Sequence, residues 1–112
     1  MKLNTRPASQ AGTMIVELTE DHLDAGNVKG FKEAMDSILN QNQNILVDIH
    51  RVDFIDSSGL GSLLSCLRAM NNKGGRLKLF ALSQPVRALF ELVRMHRVFE
   101  IYNDEAEASA TV

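Results

Sequence analysis

A chain of 112 residues with 45% apolar and 23% charged side chains has material for one ordinary core and too little polarity for extensive disorder. Twelve basic against fourteen acidic residues leave a formal charge of −2, and no Lys/Arg cluster interleaves with aromatics, which argues against a nucleic-acid partner. No apolar run approaches the roughly 20 residues that span a bilayer, the N-terminus lacks the apolar stretch of a signal peptide, and Cys66 alone permits neither an intrachain disulfide nor a Cys-rich zinc site.

The composition therefore predicts one cytoplasmic domain over residues 1–112, with about 1–12 and 106–112 loose. Lys2 to Arg6 reads as a first strand, Pro7 to Gly12 as a small-residue turn, and Thr13 to Thr19 as a second strand in which Met14, Val16 and Leu18 alternate; together they form an N-terminal hairpin. Asp24 or Asn27 offers a cap to an amphipathic helix marked by Val28, Phe31, Met35, Ile38 and Leu39. Gly30 inside it reads equally as a close contact or a tolerated defect. After the polar connection Gln41 to Asn44, Ile45, Leu46, Val47 and Ile49 make a central strand covered on both faces, and Val52 to Ile55 continue extended into Asp56.

At Leu60 the period changes from two to helical, through Leu63, Leu64, Leu67 and Met70, until Asn71 to Gly75 end the helix. Cys66 falls among these leucines and reads as a small buried hydrophobe. Arg76 to Leu82 resumes as a strand. Ser83 and Pro85 open a third helix whose buried stripe is Val86, Leu89, Phe90 and Val93, and Val98 to Tyr102 is a last strand. Asn103 and Asp104 start a short helix through Glu105 and Ala106, after which the Ala/Ser/Thr end frays. Strands alternating with amphipathic helices, preceded by a hairpin, define an α/β class with a mixed sheet.

Between the central strand and its helix lies a hydroxyl-rich corner, Asp56-Ser57-Ser58-Gly59-Leu60-Gly61. A serine in the first helical turn stands beside unpaired N–H groups and the positive end of the dipole, where an added phosphate is tolerated. Two structural roles compete with this: Ser57 or Ser58 as the cap, and the glycines as filling for a tight bend. The outward helix face carries Gly61, Ser62 and Ser65, small residues that let a partner approach closely, together with Arg68. Gly-x-Ser-x-Gly is absent and nothing marks His22, His50 or His96 as a catalytic base, so hydrolysis is disfavoured. Gly74 and Gly75 precede a strand, and no phosphate-cradling Gly-x-x-x-x-Gly-Lys-Ser/Thr occurs. The chemistry the corner suggests is a switch rather than turnover, with no cofactor or metal, and the capping and bend-filling roles stay open beside it.

The run from Ile45 to Gly61, ILVDIHRVDFIDSSGLG, resembles the signature of STAS domains, most closely the bacterial anti-sigma factor antagonists. Leu23-Asp24 before the first helix, Gly74-Gly75, Ser83 and Pro85, and Val98 to Tyr102 extend the likeness over nearly the whole chain. The resemblance implies a domain that, unphosphorylated, binds an anti-sigma factor that is also a GHKL-type serine kinase and so releases a sigma factor. It implies Ser57 as the phosphorylated residue, a partner surface of Asp24, Asp56, Ser58, Gly59, Leu60, Gly61, Ser62 and Ser65, a PP2C-type phosphatase that restores the unmodified state, and a monomer or weak dimer. The alternatives are a STAS module of another signalling or transporter assembly, and a small-molecule-binding or hydrolytic protein. Glu20-Asp21-His22 and Arg94-Met95-His96 depart from the glycines common in the family at those places.

Overall fold

Alternation along the central strands decides which face of the sheet each helix covers. The computed structural model describes residues 1–112. Strand β1 (Leu3–Pro7) pairs antiparallel with β2 (Thr13–Leu18), giving the expected hairpin. After a two-residue strand β3 (His22–Leu23) come helix α1 (Val28–Gln41), β4 (Asn44–Asp48), a second two-residue strand β5 (Phe54–Ile55) and α2 (Ser57–Asn72). The chain continues through β6 (Arg76–Phe80), α3 (Gln84–Leu92), a 3-10 turn (Met95–Arg97), β7 (Glu100–Tyr102) and α4 (Glu105–Ser109). The main sheet runs β1-β2-β4-β6-β7, parallel except for the hairpin, while β3 and β5 form a separate parallel ladder. No helix is long and apolar enough to cross a membrane.

One sheet face presents Val16, Leu18, Ile45, Val47, Leu77 and Leu79 to Phe31 and Met35 of α1, Leu63, Cys66 and Met70 of α2, and Val86 and Phe90 of α3. The intervening residues Ile15, Leu46 and Phe80 point the other way and meet Ala108 of α4, so β4 is covered on both faces as its unbroken apolar run predicts. Burial lifts the Cys66 thiol to a pKa of about 11, in keeping with a packing role. Gly30 proves to be a close contact, since a Cβ there would lie 2.6 Å from the Met1 nitrogen.

Three sequence expectations need correction. The last residues do not hang loose: Ala108 is buried, and the buried Lys78 ammonium donates to Thr111 Oγ1 (2.6 Å) and the Thr111 carbonyl (3.1 Å). An ammonium removed from water requires such acceptors, and the chain end supplies them. Residues 3–7 pair in β1, as the expected hairpin requires. Ser83 stands at the N-cap of α3, but its hydroxyl donates to the Val52 carbonyl at 2.6 Å instead of capping. Helix α3 stops at Leu92, leaving Val93 40% exposed, outside the buried stripe.

The stop is made by Arg94, which lies in the left-handed region at φ 61° with its side chain exposed. An L-residue there is disfavoured by roughly 1–2 kcal/mol, partly offset in a glycine variant by the greater freedom of the unfolded chain. Arg94→Gly is therefore expected to stabilise the protein by about 0.5 kcal/mol or more, read as a higher urea midpoint at unchanged slope.

Candidate partner-binding site

The start of α2 is capped by Asp56, and neither serine supplies the cap. Asp56 is extended at φ −97°, ψ −175°, and its Oδ1 accepts from the Gly59 N–H at 2.9 Å. Its Oδ2 accepts from the Ala25 N–H at 3.0 Å, across 31 residues of sequence. One carboxylate thus satisfies an orphan helix amide and ties the loop after β3 to the helix that carries the serines. The Gly59 amide contributes most to holding the Asp56 carboxyl below its ordinary value; partial desolvation opposes this, and the Ala25 and Ser58 amides add to it.

A carboxyl whose folded value is depressed adds stability that is complete above its unfolded value, near 4, and is lost as pH falls from there through the folded value. Asp56→Ala is therefore expected to be less stable than the parent at neutral pH, with the difference closing in acid. Urea unfolding of both proteins across that window checks it.

The β3–β5 ladder seats the corner against the body. Its register pairs His22 with Phe54 and Leu23 with Ile55, and the Asp56 N–H continues it by donating to the Leu23 carbonyl at 3.3 Å. Leu23 and Ile55 turn inward to the core, so Phe54 and Asp56 face out. Gly59 fits here because a Cβ would stand 2.0 Å from the Leu23 carbonyl oxygen. In the loop after β3, Asp24 Oδ1 accepts from the Gly26 N–H and the Asp24 N–H donates to Asn27 Oδ1, both at 2.9 Å. Asn27, at the N-cap of α1, makes no side-chain cap bond; its amide donates back to the His22 carbonyl at 2.8 Å.

Ser57 and Ser58 are exposed in the first turn of α2, Asp24 and Asp56 are half-buried, and the loop brings the two aspartates together through Ala25. Ser65 is exposed, and Leu60 and Gly61 are partly so. An added Cβ at Gly61 would meet nothing within 4 Å, so this glycine leaves open backbone at the surface. Two expected surface residues are not on the surface. Ser62 is fully buried, its hydroxyl donating to the Gly59 carbonyl at 2.6 Å, and Gly59 is buried by its contact with Leu23. Both shape the corner from beneath.

Acidic groups frame the exposed face. Glu20, Asp21, Asp24, Asp53 and Asp56 lie on the two segments that the ladder joins, and the Asp53 N–H donates to the Asp21 carbonyl at 2.8 Å. None of the five has a Lys or Arg within 4.0 Å; His22 Nδ1 lies 2.8 Å from Asp21 Oδ1, and that bond raises the imidazole above its ordinary value.

The side chains with metal-ligand chemistry, Glu17, Asp48 and His50, bring their donor atoms within 4.8 Å of one another on the far side of the main sheet from α1–α3. They already satisfy each other and their neighbours: Asp48 Oδ1 is 2.8 Å from His50 Nδ1, and Glu17 accepts from Asn4 (3.1 Å) and Arg51 (3.2 Å). The pocket beside them, lined by Asn4, Thr5, Arg6, Ile15, Glu17 and Asp48, includes no residue of the Ser57 corner.

A mixed sheet with a hairpin edge, three helices on one face and a capped serine turn defines the STAS class of domain. The STAS domain model matches residues 5–108, and the chain belongs to that family. Among its relatives, a Paenibacillus polymyxa protein named anti-sigma F factor antagonist is 28% identical over 96% of this chain and 93% of its own. The anti-sigma-B factor antagonist of Listeria monocytogenes is 30% identical, covering 83% of this chain and 90% of its own. A crystal structure of a Thermotoga maritima protein assigned to the anti-sigma factor antagonists superposes with a TM-score of 0.84 at 25% identity, covering 98% of this chain and 93% of that one.

Proposed function

We propose that this protein is an anti-sigma factor antagonist switched by phosphorylation of Ser57. Unmodified, it docks the first turn of α2 and the adjoining Asp24 loop onto an anti-sigma factor, which then gives up its sigma factor. The observation that carries this reading is an exposed serine at the first turn of a helix, directly after a capping aspartate, in a chain whose relatives bear the antagonist name. The partner is read as a GHKL-type serine kinase. Ser57 Oγ attacks the γ-phosphorus of its ATP, the bond to the bridging oxygen breaks, ADP leaves, and the hydroxyl proton passes to a base on the kinase.

The phosphoserine then faces the phosphates of bound ADP. A charge of about −1.5 to −2 in a desolvated contact opposes both that anion and Asp56. Like charges across an interface cost several kcal/mol, so about a hundredfold loss of affinity follows. Free helix N–H groups accommodate the phosphate in the separated protein, so the scaffold persists. A PP2C-type phosphatase resets the cycle in the cytoplasm, and the protein itself performs no turnover.

The test is incubation with the host's anti-sigma factor and ATP, followed by peptide mass spectrometry. One phosphate on Ser57, none on Ser57→Ala, and blank esterase and phosphatase assays are expected. Phosphate elsewhere, or turnover that Ser57→Ala abolishes, overturns the reading.

A further inference from the structure

We propose that Phe54 is the anchor of the docking surface, and that the anti-sigma factor receives it in an apolar pocket rimmed by Arg or Lys. This rests on the reading of the protein as an anti-sigma factor antagonist and adds the chemistry of the contact.

Phe54 is 56% exposed, whereas the other four phenylalanines, Phe31, Phe80, Phe90 and Phe99, are at most 3% exposed. The exposure is built in: β5 has two residues, Ile55 takes the inward place, and the pleat sends Phe54 outward. The same alternation puts Asp56 on the outward face with Phe54, and Ser57 follows it in the chain. An aromatic ring with few rotors, held exposed on a paired strand shortly before Ser57, has the character of an interface hot spot.

Charge selects the occupant. Glu20, Asp21, Asp24, Asp53 and Asp56 lie on the two segments that the β3–β5 ladder joins, none with a Lys or Arg within 4.0 Å, and His22 alone pairs with one of them, Asp21. A second copy of this chain would set the same acids against each other across a twofold axis, and an anionic membrane or nucleic acid would be repelled. A protein with an apolar hollow and a basic rim meets both features. Such a rim also leaves the centre, opposite Ser57, for the anionic nucleotide of a kinase.

The experiment measures affinity for the host's anti-sigma factor loaded with ADP, at low and high ionic strength, for the parent, Phe54→Ser, Phe54→Leu, Asp53→Lys and Ser57→Asp. Phe54→Ser is expected to weaken binding about thirtyfold, the scale of a hot-spot truncation, to melt no lower than the parent, and to be phosphorylated more slowly. Phe54→Leu regains most of the loss. Asp53→Lys lowers the association rate and flattens the salt dependence; it carries the test alone should Phe54→Ser melt early. Parent-like binding of Phe54→Ser overturns the anchor, and parent-like binding of Asp53→Lys overturns the basic rim; either leaves the switch standing while Ser57→Asp is still weakened. Parent-like binding of all variants, or no binding by the parent, overturns the underlying function as well. Concentration-dependent dimerisation of the free protein that Phe54→Ser abolishes makes the occupant a second copy and overturns the proposal.

Discussion

Ser57→Asp is expected to bind the anti-sigma factor about tenfold or more weakly while unfolding at the parent's temperature or slightly above it. The two effects have one cause seen from two sides. Ser57 is the first residue of α2 after the Asp56 cap, and its side chain is exposed. A carboxylate in that turn faces the positive end of the helix, an interaction worth about 0.3–1 kcal/mol in favour of the fold. In the complex proposed above the same charge would be desolvated against Asp56 and the partner's nucleotide. Aspartate carries less charge than a phosphate, so its effect falls short of the phosphorylated protein's. Ser57→Ala removes the acceptor without adding charge and is expected to bind like the parent and stay bound in the presence of ATP. Titration calorimetry with a parallel thermal melt reads both quantities. Unchanged affinity, or loss of the fold, in Ser57→Asp contradicts the switch.

The largest stability effect is expected at Gly59. A methyl group there would lie 2.0 Å from the Leu23 carbonyl oxygen, 2.7 Å from its carbon and 3.1 Å from Ile55 Cγ2. The carbonyl belongs to the β3–β5 ladder and accepts from the Asp56 N–H, so it does not swing aside without loosening the cap. Gly59→Ala is expected to destabilise by about 3 kcal/mol or more, at or beyond the upper end for overpacking. Two residues on, Gly61 has open space around its missing Cβ. Gly61→Ala is expected to gain up to about 1 kcal/mol from helix propensity. Opposite signs at positions two apart, in urea melts of the two variants, distinguish a backbone contact from a general taste for glycine at the corner. Equal effects would show that the helix does not approach β3 this closely.

Much of this architecture is legible in the sequence. Alternation marks β2 and period-3.6 spacing marks the three long helices, because burial on one face leaves its spacing in the side chains, and an unbroken apolar run marks the central strand, which is covered on both faces. The corner stood out for the same reason, as the point where Ile55 ends one period and Leu60 begins the other. The β3–β5 ladder was not legible: two residues per strand carry no period, and Leu23 and Ile55 meet only in space. Ser62 misled because a polar residue flanking a leucine stripe looks outward, yet its hydroxyl is satisfied within the helix by the Gly59 carbonyl. Asp56 rather than Ser57 is the cap because its Oδ1 accepts from the Gly59 N–H; the bond from its Oδ2 to Ala25, 31 residues away, is a meeting in space that the sequence does not show. The chain end looked loose by composition, while its anchor is the ammonium of Lys78 on β6. The exposure of Phe54 likewise follows from which way a two-residue strand faces.

The most direct measurement is the affinity of one preparation for the anti-sigma factor before and after phosphorylation at Ser57, with hydrogen exchange on the free protein in both states. The account predicts about a hundredfold weaker binding and equal protection of the amides of α2 and the central strands. Equal affinity in the two states, or weakened binding accompanied by lost protection throughout the core, contradicts it.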